Sequence, residues 1–229
     1  MYKTLQKNIL DIISSALLLL LVFPIVLILL LIIVLIIKQS PIIIQERKLT
    51  LNGKKIKMIK LRTIRGNEQK LESENNSGHI LFRNDLKKYV PPFCRWLRKS
   101  GLDEITQLLN VLKGEMSLVG PRPFTISDLN VIKNSEPEIY DRRERISSKP
   151  GITGYWQIYG QRNRGLENLI SLDEYYERNK SLLMDIKLVL HTIILAITAG
   201  HSDSIIDSQI TSSKNSAEVK FVFKEWGID

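Results

Sequence analysis

The chain has 229 residues, a formal net charge of +9 and 44% hydrophobic residues, enough for one domain of ordinary size with additional segments. A single cysteine, Cys94, excludes an intramolecular disulfide framework, and the 3 scattered histidines lack the ligand spacing of a zinc site. Neither a P-loop nor a Rossmann glycine fingerprint is present. The apolar residues are concentrated near the N-terminus, a distribution typical of a membrane protein.

The N-terminal segment Ile12–Ile37 holds 26 consecutive uncharged residues, almost all Leu, Ile or Val. It exceeds the roughly 20 residues that cross a bilayer as a helix. It lacks a small-residue cleavage site and is too long for a signal-peptide core, so we expect it to be retained. Pro24 near its middle leaves two geometries, a kinked span or a proline-broken helix that re-enters on the same face. Lys7 before the segment and Lys38 after it favour the cytoplasmic side for both ends.

A basic hairpin is predicted over residues 38–65, with two short strands around the turn signal Asn52-Gly53. Nine Lys or Arg residues accompany one acid, Glu46, in this segment. Such a patch can be a solvated face, a diphosphate site, or an attraction to anionic lipid headgroups worth about 1 kcal/mol per basic residue. The polar stretch that follows, residues 66–92, is predicted to be a connecting loop.

The segment around residue 100 combines two helix signals with a pair of adjacent acids. Phe93–Lys99 has the pattern of a short amphipathic helix. Ser100 is predicted to be the N-cap of a second amphipathic helix that ends at Gly114. The polar face of this second helix is predicted to hold Asp103, Thr106, Gln107 and Asn110. Asp103 lies in the first turn beside Glu104, and taken alone a carboxylate there is explained by the helix dipole.

A rigidly presented arginine follows this helix. The sequence Gly120-Pro121-Arg122-Pro123 places one guanidinium between two prolines that fix the backbone, so that binding costs little entropy. A planar donor fork of this kind suits a phosphate. The paired acids and this arginine together make a stronger case for chemistry than either feature does alone.

The stretch Leu102–Pro123 resembles the core signature of the bacterial sugar transferases. These are small monotopic enzymes that move a sugar 1-phosphate from a nucleotide diphosphate sugar to a polyprenyl phosphate. The likeness extends from Lys7 to Gly200 and includes the glycine-rich block Lys149–Gln157. The chain departs from the family pattern at Phe23, where serine is common, and at Ile42-Ile43, where Gly-Pro is common.

The resemblance implies roles for individual residues. Asp103 would be the nucleophile and Glu104 its catalytic partner, and both would be protein ligands of Mg²⁺. Covalent catalysis through a phospho-aspartate would divide the transfer into two steps. The residues that bind phosphate or substrate would be Lys60, Arg62, Arg98, Arg122 and Arg162.

The expected fold class is α+β and mainly helical. By resemblance it contains a proline-broken re-entrant membrane helix, a small β-hairpin and interfacial amphipathic helices. The predicted divisions are residues 1–37 in the membrane, 38–200 as a cytoplasmic catalytic domain, and 201–229 as a tail with a strand. Within the domain we predict a charged helix over Glu136–Arg145, a helix capped by Ser171, and a helix over Leu182–Ala199 in the interface or the core. The residues Gly151–Gly154 are predicted to form a fixed turn.

The resemblance also implies an activity and a location. The chain would transfer a sugar 1-phosphate from a UDP-sugar to undecaprenyl phosphate and release UMP, as the first membrane step of cell-surface glycan synthesis. It would lie at the bacterial inner membrane, with its catalytic domain on the cytoplasmic face of an anionic bilayer and no nucleic acid partner. The tail strand could pair two copies into a homodimer. An inactive family member and a membrane-anchored protein that binds anionic lipid are the alternatives.

Overall fold

The computed structural model of the chain describes residues 4–66, 89–160 and 165–198. These residues form a mainly helical protein with two small two-stranded sheets, in agreement with the predicted fold class. Arg162, most of the predicted 66–92 connection and the predicted strand of the tail lie outside the described residues. The domain boundaries at residues 37 and 200 stay predictions.

The helices range in length from the 34 residues of α1 to the 5 residues of α3. The α-helices are α1 Thr4–Ile37, α2 Pro92–Lys99, α3 Leu108–Leu112, α4 Ile126–Ser135, α5 Pro137–Glu144, α6 Tyr155–Tyr159, α7 Gly165–Asn179 and α8 Leu182–Thr198. A 3₁₀ helix, Leu102–Gln107, lies between α2 and α3. The strands are β1 Ile42–Arg47, β2 Ile56–Leu61, β3 Ser117–Val119 and β4 Gly151–Thr153.

Helix α1 continues through Pro24 without a non-helical interruption, so the break predicted there is wrong at the level of secondary structure. A proline removes a single backbone hydrogen bond, and the apolar residues on both sides keep the rest of the ladder intact. Within the described ranges, α1 is the one helix long and apolar enough to cross a membrane. Its buried residues lie toward its two ends: Lys7, Asp11, Ser15, Val26, Leu29, Ile33 and Ile37. Whether α1 re-enters the membrane stays a prediction.

The predicted hairpin is confirmed. Strands β1 and β2 are antiparallel, with Ile42 opposite Leu61 and Arg47 opposite Ile56. In the connection between them, Gly53 N donates to Thr50 O at 3.1 Å, which forms the turn that the Asn-Gly signal predicts. The hairpin therefore begins directly after α1 and carries the basic residues along two paired strands.

The continuous helix predicted from Ser100 is wrong in its first turns. Gly101 adopts a left-handed conformation with φ 71°, and Ser100 belongs to the end of α2, where its Oγ donates to Leu97 O at 3.0 Å. The chain then forms the 3₁₀ helix before α3 begins. The polar side chains of this segment are buried: Asp103, Thr106, Gln107 and Asn110. Leu108 and Val111 are buried as well, whereas Leu109 is exposed, so this segment buries both its polar side chains and most of its apolar ones.

A short parallel pair joins distant parts of the chain. Strand β3 pairs with β4, with Ser117 opposite Gly151 and Val119 opposite Thr153, so the turn predicted at Gly151 is a strand. The two backbones approach so closely that a Cβ atom on Gly151 would lie 2.1 Å from Gly120 N. This approach fixes the position of the residues directly after β3, which include the Pro-Arg-Pro sequence.

The C-terminal helices agree with prediction in position, but one predicted cap is wrong. Helices α5 and α8 occupy the predicted segments. Helix α7 begins at Gly165, so Ser171 lies in its interior, where its Oγ donates to Glu167 Oε1 at 3.0 Å. A serine does cap the next helix, because Ser181 Oγ accepts from Met184 N at 3.2 Å at the start of α8.

Helix α8 has one buried side and one exposed apolar side. Its buried residues are Asp185, Leu188, His191 and Leu195. Its exposed apolar residues are Leu182, Leu183, Ile186, Leu190, Ile193, Ile194 and Ile197. Such a surface on a soluble protein would be unfavourable in water, whereas it suits a helix in contact with lipid.

Candidate active site

The two adjacent acids lie at the start of the 3₁₀ helix, where this helix packs on β2. Glu104 Oε1 accepts from Lys60 Nζ at 2.5 Å, and both side chains are partly buried. Asp103 beside them is 8% exposed. The structure therefore sets an ion pair next to a second carboxylate in a partly desolvated environment, where charges interact more strongly than in bulk water.

Two polar side chains hold the 3₁₀ helix and α3 against the free edge of β2. Thr106 Oγ1 donates to Ile59 O at 2.9 Å, and Asn110 Oδ1 accepts from Ile59 N at 3.0 Å. Asn110 Nδ2 also donates to Lys57 O at 2.7 Å. These bonds replace a third strand, because they satisfy the outward backbone groups of β2. These bonds fix the position of β2 relative to the 3₁₀ helix, and they therefore place Lys60 beside Glu104.

Arg98 joins this group from helix α2. Its Nη1 donates to Thr63 Oγ1 at 3.0 Å, just beyond the end of β2. Burial raises the pKa of the Cys94 thiol to about 11, while the charges of Arg65 and Arg98 oppose this shift and the charge of Asp103 adds to it. Arg98 and Asp103 thus lie within electrostatic range of the same buried thiol. Helix α2 thus carries positive charge near the 3₁₀ helix, and the phosphate-binding role of Arg98 stays a prediction.

Arg62 is bound to backbone carbonyls near the end of α1. Its Nε donates to Ser40 O at 2.7 Å, and its Nη1 donates to Gly66 O at 3.1 Å. These two bonds tie the start of β1 to the chain that leaves β2. Arg62 therefore has a structural role in the described residues, and its phosphate-binding role stays a prediction.

Arg122 belongs to a second group at the other end of the hairpin. Lys48 and Phe124 exchange backbone hydrogen bonds of 2.8 and 2.9 Å. Ile43 is the strand partner of Lys60, and Lys48 lies about five residues further along the chain. At strand spacing, the backbones of Ile43 and Lys48 are therefore roughly 16 Å apart. The Arg122 guanidinium lies over the Trp156 ring, 5.8 Å from its centroid. The structure thus groups Asp103, Glu104, Lys60 and Arg98, and it sets Arg122 with an aromatic partner elsewhere along the hairpin.

A buried ion pair that sequence reasoning missed holds the backbone of Arg122. Arg143 Nη1 and Asp173 Oδ2 are paired, and both side chains are 0% exposed. Asp173 Oδ2 accepts from Arg122 N at 3.1 Å, Arg143 Nη2 donates to Arg122 O, and Arg143 Nε donates to Leu49 O at 3.1 Å. Burial raises the pKa of Asp173 to about 6, although the charge of Arg143 and its hydrogen bond oppose this shift.

The spacing of buried residues along α5 indicates that Arg143 faces inward. Tyr140 and Ile146 are buried, and Arg143 lies midway between them at three-residue spacing, on the inward face of α5. A charge on the apolar face of a helix requires a partner. The segment Glu136–Arg145 was predicted only as a charged helix, and no partner was predicted for Arg143.

The acid pair fits the needs of a hard divalent cation. Across the described ranges, no cluster of three or more His, Cys, Asp or Glu side chains could hold a metal. Mg²⁺ is commonly held by one or two carboxylates together with water and substrate phosphates. Asp103 and Glu104 provide such a donor set, and the Mg²⁺ predicted from the resemblance stays a prediction.

The chain belongs to the bacterial sugar transferase family, whose profile matches residues 2–199. It is similar to the galactosyl transferase CpsE of Streptococcus agalactiae, with 32% identity over 158 residues, which cover 67% of this chain and 34% of that protein. It is also similar to the exopolysaccharide production protein ExoY of Sinorhizobium fredii, with 35% identity over 160 residues, 66% of this chain and 68% of ExoY.

A third relative carries a more specific name. The UDP-glucose:undecaprenyl-phosphate glucose-1-phosphate transferase of Klebsiella pneumoniae is 34% identical over 162 residues, which cover 68% of this chain and 32% of that protein. The chain therefore corresponds to about a third of CpsE and of the Klebsiella protein, and to a larger share of ExoY. The family predicted from the motifs is confirmed.

Proposed function

We propose that this chain transfers a sugar 1-phosphate from a UDP-sugar to undecaprenyl phosphate and releases UMP, in the synthesis of a cell-surface glycan. The observation that carries this proposal is the Asp103–Glu104 pair, with Lys60 bound to Glu104 and Arg98 nearby. Two substrates that both carry phosphate repel each other, and fixed cations beside a carboxylate can bring them together. The name of the Klebsiella relative supports the same substrate classes.

Asp103 is the proposed nucleophile. One of its carboxylate oxygens attacks the phosphorus that carries the sugar, the bond from this phosphorus to the bridging oxygen breaks, and UMP leaves with that oxygen. A phosphate oxygen of undecaprenyl phosphate then attacks the same phosphorus. The bond to Asp103 breaks, which restores the carboxylate and releases the lipid diphosphate sugar.

The neighbouring charges have distinct proposed roles. Lys60, oriented by Glu104, and Arg98 neutralise charge on the phosphoryl group as it is transferred. Arg122 binds a phosphate elsewhere on the substrate, and Arg62 and Arg162 are further candidates for this task. Asp103 and Glu104 would hold Mg²⁺, which would supply positive charge that neutralises part of the charge on the phosphates.

We propose a monotopic attachment, with both ends of α1 on the cytoplasmic face of the inner membrane. Support comes from the N-terminal end, where Lys7 Nζ donates to Asp185 Oδ2 at 2.6 Å and Ser117 Oγ donates to Asp11 Oδ2 at 2.6 Å. The other end packs in the core cluster that contains Ile33 and the hairpin. One domain that contacts both ends of the helix cannot lie on two sides of a bilayer. The exposed apolar side of α8 and the basic residues of the hairpin are each suited to contact with an anionic bilayer.

The test is release of UMP by the purified protein in nanodiscs with Mg²⁺, undecaprenyl phosphate and a panel of UDP-sugars. We expect release that requires the lipid, the metal and Asp103, with Asp103→Asn inactive and still membrane-bound. Asp141→Asn removes an exposed carboxylate on α5 and is the matched control, expected to keep wild-type activity. A donor labelled at the sugar-proximal phosphate should leave its label on the peptide that contains Asp103.

Two outcomes would contradict the proposal. An active Asp103→Asn variant would overturn the nucleophile. No release with any donor from a folded sample would instead favour an inactive family member or a lipid-binding protein. Vesicles with and without anionic lipid would separate these last two, because only the second requires charge-dependent binding as its function.

A further inference from the structure

The buried pair between α5 and α7 binds both backbone polar groups of one residue, Arg122, besides the bond from Arg143 to Leu49 O. Asp173 accepts from the N–H of Arg122, and Arg143 donates to the C=O of the same residue. Prolines flank Arg122 on both sides and have no N–H, so its N–H is the only backbone donor between residues 121 and 123. Both backbone polar groups of the central residue are therefore bound by one ion pair.

Stability alone is a poor explanation for this pair. The free-energy cost of removing two charges from water often exceeds the gain from their mutual attraction. A buried ion pair is therefore weak evidence of stabilisation. Here the cost is higher still, because Asp173 Oδ1 is buried with no hydrogen-bond partner among the described residues. An arrangement that costs stability and binds one backbone residue is better explained by the conformation it specifies.

The neighbouring residues show the contrast. Arg142 and Glu174, each adjacent in sequence to a member of the buried pair, form a partly buried ion pair of 2.8 Å. Their bonds go to side chains, with Arg142 also donating to Glu167 Oε1 at 2.6 Å. The same two helices thus carry one partly solvated pair that touches only side chains and one fully buried pair that binds the Arg122 backbone.

We propose that Arg143 and Asp173 are positioning residues that hold Arg122, with its guanidinium against Trp156, in the orientation that receives an anionic phosphate of the substrate. Two prolines restrict the backbone of this segment, the ion pair fixes its remaining polar groups, and the indole supports one face of the guanidinium. The inference rests on the proposed function for the identity of that phosphate.

A role through charge and a role through positioning predict opposite changes in the KM of Asp173→Asn. If Asp173 acted only through its charge, its loss would raise the local positive potential, and an anionic donor would bind more tightly. If it positions Arg122, the donor binds more weakly, because a misplaced guanidinium loses its paired hydrogen bonds. The sign of the change in KM therefore distinguishes the two roles.

The experiment uses the full chain in nanodiscs and measures kcat and the KM for the UDP-sugar. We expect Asp173→Asn and Arg143→Lys to raise KM about tenfold or more. The matched controls Glu174→Gln and Arg142→Lys alter the partly buried pair, which has no bond to Arg122, and should keep KM within about twofold of wild type. Asp173→Glu keeps the charge and moves the carboxylate by one methylene, and it is the milder variant should Asp173→Asn fail to fold.

A double-mutant cycle tests whether Asp173 acts through Arg122. In an Arg122→Gln background, Asp173→Asn should cause no further rise in KM, because the guanidinium that it positions is absent. An equal fold-change in both backgrounds would show a general structural role and overturn the proposal. A lower KM in the Asp173→Asn single variant would also overturn it.

Hydrogen–deuterium exchange gives a readout that does not depend on turnover. The Arg122 amide should exchange slowly in the wild type and much faster in Asp173→Asn, with no change in Glu174→Gln. If the wild type releases no UMP with any donor, the proposed function fails while the exchange result still tests the positioning role. Unchanged exchange at Arg122 in Asp173→Asn would overturn that role whatever the activity.

Discussion

Gln107 is a fully buried amide whose two polar atoms have no hydrogen-bond partner among the described residues. It follows Glu104 by three residues, which is one turn of a 3₁₀ helix, and therefore lies on the side of the acid pair. Burying an amide without a partner costs about 1–3 kcal/mol. A native protein that accepts this cost next to its proposed nucleophile carries a local destabilisation in its active site.

Gln107→Met should leave the melting temperature unchanged or raise it, because an apolar side chain of similar length removes the unpaired amide. Asn110→Leu is the matched control on the same buried face, and it should lower the free energy of unfolding by about 2 kcal/mol, since it strands Ile59 N and Lys57 O. Thermal unfolding of both variants in the same detergent measures the difference. A larger loss for Gln107→Met than for Asn110→Leu would show that the amide has a bonded partner.

Close backbone contact makes the β3–β4 pair sensitive to a single methyl group. A Cβ atom on Gly151 would lie 2.1 Å from Gly120 N and 2.2 Å from Thr153 O, and backbone atoms cannot move aside as a flexible side chain can. Because this pair precedes the Pro-Arg-Pro sequence, strain at Gly151 is transmitted to the segment that holds Arg122. A change in the packing of β3 against β4 is therefore expected to move the backbone of Arg122.

Gly151→Ala should destabilise the protein by about 3 kcal/mol, through forced separation of β3 and β4. Gly114→Ala is the control, since it has a left-handed φ of 72° but only Lys149 Nζ at 3.8 Å, and it should cost about 1 kcal/mol. Chemical unfolding of the two variants provides the comparison. Equal losses would mean that backbone conformation and not crowding dominates at Gly151.

The 3₁₀ helix and α3 bury polar as well as apolar side chains. Their polar side chains are buried because the free edge of β2 needs hydrogen-bond partners, and Thr106 and Asn110 supply them. Leu108 and Val111 are also buried, whereas Leu109 is exposed. A polar side chain therefore lies inside the protein here because a neighbouring strand edge supplies its partner.

At the scale of the whole molecule, the N-terminal helix is attached to the rest of the protein at both ends. The Lys7–Asp185 pair is buried, and Tyr176 OH also donates to Asp185 Oδ1 at 2.8 Å. A buried ion pair with its remaining lone pairs satisfied is costly to break by removal of one member. The N-terminal end of α1 is therefore held against α8, and its C-terminal end is held by the hydrophobic cluster around Ile33.

Cysteine accessibility tests the membrane topology that follows from this attachment. In a Cys94→Ala background, Leu5→Cys near the start of α1 and Ser135→Cys at the end of α4 should both react with a membrane-impermeant maleimide in inside-out vesicles. Neither should react in intact cells. Labelling of Leu5→Cys only from the outside would show a spanning helix and contradict the re-entrant form.

The sequence was sufficient wherever a local pattern decides the structure. Apolar length identified α1, the Asn-Gly turn signal identified the hairpin, and helical spacing located α2 and α8. The family followed from a long motif and is confirmed by the match over residues 2–199. The predictions that failed, at Pro24, Ser100, Gly151 and Ser171, all assumed that a residue's local preference would decide the structure at that position.

Tertiary contacts decided the remainder, for a physical reason common to each case. Pro24 is tolerated inside α1 because the neighbouring residues keep the other backbone hydrogen bonds of the helix. Gly151 is suited to a strand because the backbone of Gly120 lies too close for a side chain. The partner of a charged residue is not encoded nearby: Arg143 and Asp173 are 30 positions apart, and Lys7 and Asp185 are 178 positions apart. The amino-acid sequence by itself determined the long apolar helix, the hairpin, the acid pair and the family of this protein. Only the folded chain decided which charges meet in the interior, because desolvation makes a buried charge depend on partners from elsewhere in the chain.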